Sequence, residues 1–227
     1  MEKKTLASIL EGKIFQIPDY QRGYAWETKQ WKDFVQDIDA LIDDKIISHY
    51  TGTIVIYQPL NKPTENYGTK RLEVVDVVDG QQRLTTCSMY LSIILKELIK
   101  INKEDFSAET PYFLHSGGKS KLRLNNDTAD FYLDIISKGV SNIEPNSVHQ
   151  NRIYEAYHFL KKHIEEQLAI RAEKGEDYLK DLYDAIIRKL NFSFYPMEIE
   201  SEIGMNFELM NSRGKDLSSM ELLKNYL

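Results

Sequence analysis

Apolar and polar positions follow two periods along this chain, and the switches between them mark its elements. Trp31, Phe34, Val35, Ile38, Leu41 and Ile42 recur at helical spacing, which predicts an amphipathic helix capped by Thr28. Before it, a short helix is expected at Thr5–Leu10, stopped by Gly12, then a strand through Ile14-Phe15-Gln16-Ile17 up to Pro18. Thr53–Tyr57 and Leu72–Val78 are β-branched runs. Pro59, Asn61, Pro63, Asn66 and Gly68 lie between them, so the pair reads as a hairpin with a loose loop. The second run ends at Asp79-Gly80, and helical spacing resumes at once, from about Gln82 to Lys100, with Leu84, Cys87, Leu91, Ile94, Leu95 and Leu98 as its apolar positions.

Helices are expected next at Thr128–Lys138, Val148–Arg171 and Glu176–Leu190. Phe192, Phe194 and Ile199 predict a returning strand broken by Pro196. Two short helices, about Gly204–Asn211 and Ser218–Leu227, would flank a turn at Ser212-Arg213-Gly214-Lys215. This order predicts an α+β fold: a core from residues 1–100 plus 190–227, with a helical block at 101–189.

Composition narrows the class. A chain of 227 residues buries roughly 70% of its unfolded surface and needs no staples. The formal charge of -6 argues against a protein that coats DNA through its whole surface, but leaves room for a local basic groove. Cys87 is the single cysteine, so no internal disulfide exists and a reducing cytoplasm is the expected location. The start, Met-Glu-Lys-Lys-Thr, lacks the apolar stretch of a signal peptide, and no apolar run nears the ~20 residues of a membrane span. No membrane association is expected. The end at Tyr226-Leu227 carries no stop signal, so a continuation beyond it is expected.

The candidate chemistry gathers at Asp79-Gly80-Gln81-Gln82-Arg83, placed at a strand-to-helix junction. The first turn of a helix offers unpaired N–H groups and the positive end of the helix dipole, which together attract anions. Gly80 lets the backbone turn tightly and approach a ligand. Gln81 and Gln82 bring amide donors and acceptors, and Arg83 a planar fork that suits phosphate oxygens. Asp79, at the strand tip, is placed to hold a metal, a water or Arg83. The plainer account makes Asp79 a helix cap and Arg83 half of a surface salt bridge.

Two further polar islands stand out. Ile17-Pro18-Asp19-Tyr20-Gln21-Arg22-Gly23-Tyr24-Ala25-Trp26 packs aromatics, Gln and Arg into one loop, a composition suited to stacking on bases or cradling a nucleotide. The plainer account makes Tyr20, Tyr24 and Trp26 plugs that pin the loop, and at least one is expected to be so. Phe207-Glu208-Leu209-Met210-Asn211-Ser212-Arg213-Gly214 ends a helix with Asn211 and Arg213, where polar residues are ordinary.

In this order the three islands resemble the N-terminal domain of GmrSD-type restriction endonucleases, and the resemblance runs from near residue 1 to the last residue. It implies a fold similar to the ParB/sulfiredoxin core, whose nucleotide phosphates bind at a strand-to-helix junction. It also implies nucleoside-triphosphate (NTP) hydrolysis with Mg²⁺ and restriction of foreign, often modified, DNA in phage defence. Carried over, Asp79, Gly80, Gln81, Gln82 and Arg83 would be the hydrolysis motif. Tyr20, Gln21 and Arg22 would sit beside it in the nucleotide-binding loop. Asn211 and Arg213 resemble the later Asn/Arg motif of ParB-like proteins, at a different spacing. The expected partner is an HNH-type nuclease domain or subunit, since His49, His115, His149, His158 and His163 are scattered and no nuclease centre is expected within the chain. The alternative is a recognition module for modified DNA without enzymatic activity.

Two decoys fall away. Gly117-Gly118-Lys119-Ser120 lacks the earlier glycine of a phosphate-binding P-loop, whose place holds Phe113. Cys87 lies in an apolar helical face and is expected to be a buried, inert thiol.

Overall fold

The computed structural model describes residues 2–140, 144–171 and 174–199. Strands are β1 (Glu2–Thr5), β2 (Lys13–Gln16), β3 (His49–Tyr57), β4 (Thr64–Tyr67), β5 (Lys70–Asp79), β6 (His115–Ser116), β7 (Lys119–Ser120), β8 (Leu122–Arg123) and β9 (Leu190–Met197). Helices are α1 (Leu6–Leu10), α2 (Thr28–Asp43), α3 (Gln81–Ile101), α4 (Lys103–Phe106), α5 (Glu109–Phe113), α6 (Ala129–Lys138), α7 (Val148–Arg171) and α8 (Gly175–Asp184).

The main sheet runs β1-β9-β3-β5-β2-β8, and β4 pairs with β5. β1 and β9, and β3 and β5, are antiparallel, whereas β3 and β9, β2 and β5, and β2 and β8 are parallel. The fold is therefore α+β with a mixed sheet. Strand alternation assigns its faces. Ile54, Ile56, Val75, Val77, Phe192 and Phe194 face the helices and join the large core. Val55, Val78 and Met197 face the other way in a small cluster with Tyr57 and Tyr195.

α3 is the central helix. It is buried on every side, from Leu84 through Leu95, and it touches α4, α6, α7 and α8. Its position at the end of β5 fixes where the junction lies. One apolar cluster joins residues from Leu6 through Phe194, the helices of 101–189 included.

Several local expectations change. Thr28 is the first helical residue of α2, and the preceding Glu27 is its cap, with Gln30 Oε1 accepting from the Glu27 N–H at 3.0 Å. The last helix of the block stops at Asp184, a π-helical turn follows over Ala185–Lys189, and Leu190 already belongs to β9. β9 is not broken at Pro196, which pairs with Ile56 of β3, and among the described residues β1 reaches only as far as Phe194 on the other side. The loop between β3 and β5 contains β4. Gly117 and Gly118 both have positive φ and turn the two-stranded β6–β7 hairpin, with Lys119 paired to Glu65 of β4. The expected helices at Gly204–Asn211 and Ser218–Leu227 lie outside the described residues, as do Asn211 and Arg213. Among the described residues no helix is long and apolar enough to cross a membrane.

Candidate functional site

The junction forms because β5 runs out at Asp79 and Gly80 takes a left-handed conformation, φ +94°. A Cβ there would stand 2.9 Å from the Thr53 carbonyl oxygen, so the turn and the close packing on β3 both require glycine. The intrahelical ladder begins with the Leu84 N–H donating to Gly80 O at 3.1 Å. The N–H groups of Gln81, Gln82 and Arg83 therefore have no intrahelical acceptor, and no side chain caps them among the described residues. The positive end of the 21-residue α3 lies open at this turn.

The segment after β2 lies across the junction. Gln21 is buried, and its Nε2 donates to the carbonyls of Val77 at 2.6 Å and Val78 at 2.9 Å. Gln82 is also buried and uses both ends of its amide: Oε1 accepts from the Ala25 N–H at 2.8 Å, and Nε2 donates to Gly23 O at 3.2 Å. Asn125 Nδ2 holds the same segment by donating to Pro18 O at 3.1 Å and Gln21 O at 2.7 Å. The His149 ring lies against Gly23, where a Cβ would come within 2.5 Å of it. Tyr24 plugs the segment into the core, its hydroxyl between Thr86 Oγ1 at 2.8 Å and the donating Trp31 Nε1 at 2.9 Å. Burial drives its phenol pKa far up.

A different set of side chains forms the rim. Tyr20 is 68% exposed and Arg22 is exposed, while Asp79, Gln81 and Arg83 are half-buried. Gln81 Nε2 donates to Arg22 O at 3.0 Å, which leaves its Oε1 as an amide acceptor with no partner among the described residues. Trp26 is partly buried against the core. The structure thus brings together Tyr20, Gln21, Arg22, Asp79, Gly80, Gln81, Gln82 and Arg83. It divides them into residues that hold the loop and residues that face outward.

Sequence patterning missed the floor on which Arg83 rests. β3 shifts register against β9 between Tyr50 and Gly52, and Gly52 sits at φ +126°. A Cβ on Gly52 would lie 2.7 Å from Arg83 Nε, so the glycine makes room for the guanidinium, whose Nη1 makes a long 3.4 Å bond to Thr53 O. Beside it, hydrogen bonds from Ser193 and Thr53 and the charge of Arg83 lower the Tyr50 phenol pKa. Thr51 Oγ1 is buried and has no hydrogen-bond partner among the described residues. The signal was present as a glycine inside a β-branched run, which marks a bulge or a close approach.

The family model described as the GmrSD restriction endonuclease N-terminal domain matches residues 4–227. The chain belongs to this family. The GmrSD N-terminal domain is part of a restriction endonuclease system, which ties it to DNA and to a nuclease partner. No curated protein matches the chain. Among the described residues of this GmrSD domain, no group of three or more His, Cys, Asp or Glu is arranged to hold a metal ion. Cys87 is fully buried, and burial pushes its thiol up to about 12 against the opposing charge of Arg83. A thiol in that state is no nucleophile near neutral pH.

Proposed function

We propose that this domain binds and hydrolyses an NTP at the N-terminus of α3 and thereby controls a DNA-cutting nuclease partner in phage defence. The observation that carries this reading is the uncapped first turn of a long buried helix, flanked by the guanidinium of Arg83 and the exposed Arg22. Three N–H groups unpaired among the described residues, a helix dipole and two nearby cations match the oxygens of a polyphosphate. The likeness to a ParB/sulfiredoxin core belongs to the same proposal, and a mixed sheet with its junction at a strand end supports it.

The roles follow from which groups are free. Gln82 is fully engaged in holding Gly23 and Ala25, so it shapes the loop. Gln81 keeps an Oε1 with no partner among the described residues, which can accept a hydrogen bond from the attacking water and so aim its lone pair at the γ-phosphorus, while the water's proton passes to a γ-phosphate oxygen. The bond from that phosphorus to the β,γ-bridging oxygen breaks, giving the diphosphate and inorganic phosphate. Arg83 and the α3 N–H groups stabilise the charge that builds on the phosphoryl oxygens. Mg²⁺ would arrive on the phosphates, where it neutralises negative charge. With few protein ligands at hand, Asp79 is the carboxylate placed to hold it directly or through water.

The deciding measurement is phosphate release from ATP, GTP, CTP and UTP with Mg²⁺, wild type against Arg83→Ala, with binding followed by calorimetry. Turnover and affinity that survive the substitution would sink the proposal. Tyr20 favours a second reading, recognition of modified DNA without hydrolysis, because a largely exposed aromatic beside Arg22 suits base stacking. Under that reading, binding of duplex DNA would weaken steeply with salt and no nucleotide would be turned over.

A further inference from the structure

At the other end of β5 lies an open pocket of about 500 Å³, lined by residues that include Glu11, Tyr67, Lys70, Tyr112, Ser116 and Lys121. Ten residues of strand, at ~3.3 Å each, put it roughly 30 Å from the Asp79–Arg83 junction. Nothing in the proposed hydrolysis uses it.

Lys121 is the anomaly. It is 4% exposed, yet among the described residues its ammonium has neither a hydrogen-bond acceptor nor a carboxylate partner. It lies 5.2 Å from the centroid of the Tyr67 ring and 6.0 Å from that of Tyr112. Its backbone cannot swing away, because its N–H donates to Leu114 O at 2.6 Å and its carbonyl accepts from Phe15 N at 2.8 Å. Tyr67 is 3% exposed, and its hydroxyl also lacks a partner among the described residues. The pocket therefore contains the ammonium of a largely buried lysine and a fully buried hydroxyl, neither with an acceptor among the described residues. Isolated buried polar groups of this kind are costly and rare unless something satisfies them.

The surrounding charge is mainly positive. Lys70 Nζ stands 5.5 Å over the Tyr112 ring, and Lys70 and Lys13 both act on Lys121 as like charges, with Glu11 the weaker opposing group. Burial and those cations together lower the Lys121 pKa to about 8. A ligand carrying two negative charges reverses that penalty, and a phosphate also has oxygens enough to accept from both Lys121 and Tyr67. The volume exceeds what a bare phosphate fills and lies within the usual range of small-molecule sites.

We propose that this pocket binds a small phosphate monoester, with Lys121 Nζ and the Tyr67 hydroxyl as donors to the phosphate, Lys70 at the rim, and the partly exposed Tyr112 as a wall for the attached organic group. The site is independent of the NTP reading.

Calorimetry on the whole domain tests it, with inorganic phosphate, ribose 5-phosphate and a short duplex DNA as probes. Ribose 5-phosphate should bind more tightly than inorganic phosphate. Lys121→Met should weaken it about tenfold or more. Tyr67→Phe, which removes a single oxygen and leaves the ring packing, should weaken it about threefold. Lys121→Arg should retain part of the binding, and circular dichroism confirms that each variant is folded. Affinity unchanged in both Lys121→Met and Tyr67→Phe would overturn the proposal, as would no binding at millimolar concentrations. Phosphate binding lost in Arg83→Ala instead would put the ion at the junction and overturn it. Duplex DNA whose binding depends on Lys121, with no binding of ribose 5-phosphate, would identify a backbone phosphate as the occupant and overturn the small-molecule assignment.

Discussion

β5 ends in a polar cluster at each of its tips, and the two are built in opposite ways. At the Asp79 end, buried amides are saturated: Gln21 and Gln82 spend their hydrogen bonds on backbone groups, and the cations stand at the rim. At the Lys70 end a lysine is inside, with aromatic rings for company and no acceptor among the described residues. The first arrangement is a preorganised loop whose proposed ligand groups are backbone N–H donors and surface guanidinium groups. The second leaves an electrostatic deficit that the proposed ligand would relieve. A satisfied network fixes geometry at little risk to stability, whereas an unsatisfied one weakens the fold until it is filled.

The largest effect that can break this contrast is at the rim of the first cluster. Arg83→Ala should lower NTP turnover by ~10²–10³-fold, the usual loss when one donor to a developing phosphoryl or oxyanion charge is removed. Its thermal midpoint should barely move, since among the described residues the guanidinium makes only one long bond to the protein. A large drop in stability with modest loss of turnover would mean that Arg83 belongs to the scaffold and that the division between rim and interior is misplaced.

Next comes the interior of the same cluster. Gln82→Leu strips partners from the Ala25 N–H and the Gly23 carbonyl, which should cost about 2–4 kcal/mol. For a chain of this size that is a fall of about 2–4 °C in Tm per kcal/mol, read by calorimetry. Gln81→Leu, in contrast, should leave stability within about 0.5 kcal/mol and act on turnover alone. Equal effects from the two neighbouring glutamines would erase the distinction drawn between them.

Gly52→Ala probes the floor beneath Arg83. The new methyl meets Arg83 Nε, and φ +126° is hostile to any side chain. A loss of about 1–2 kcal/mol is expected from the backbone alone. Displacement of the guanidinium should add about a tenfold drop in turnover. Turnover unchanged in this variant would show that Arg83 does not need its seat on β3.

These two clusters also differ in how far they were legible in the chain. The junction is a contiguous run, Asp79 to Arg83, at a change of hydrophobic period, so both its place and its residue types could be read directly. The loop of Gln21 and Arg22 was likewise contiguous, but nothing in its composition separated Gln21, which turns inward, from Arg22, which turns out. That choice depends on where the carbonyls of Val77 and Val78 end up, a tertiary fact. The long helices were legible for the usual reason that periodicity accumulates over many turns. β1, β4 and β8 were not, because strands this short owe their existence to a neighbour. The Lys121 pocket draws on the turn after α1, on β4 and β5, on α5 and on the residue between β7 and β8, and no local pattern announces a site assembled from so many separate segments.

The smallest expected effect carries the contrast to its other end. A lysine whose folded pKa is about 8, against an ordinary 10.5, destabilises the fold as long as both states are protonated, that is, below about pH 8. Between those two values the unfolded chain holds a proton that the folded chain has released, so stability rises with pH. Lys121→Met keeps most of the packing stem and removes the charge. At pH 7 it should therefore raise Tm, by about 2–4 °C for each kcal/mol relieved. That advantage should shrink as pH climbs through about 8 toward 10.5. The facing groups do not blur the comparison: Tyr67 and Tyr112 are both shifted upward by burial, and Lys70, Lys13 and Glu11 are present in both proteins. Lys96, also lowered to about 8 by burial, contributes the same rise to each and cancels in the difference. If Lys121→Met were instead destabilising at pH 7, the ammonium would already be satisfied by its two aromatic rings, and the two ends of β5 would be alike in needing nothing more.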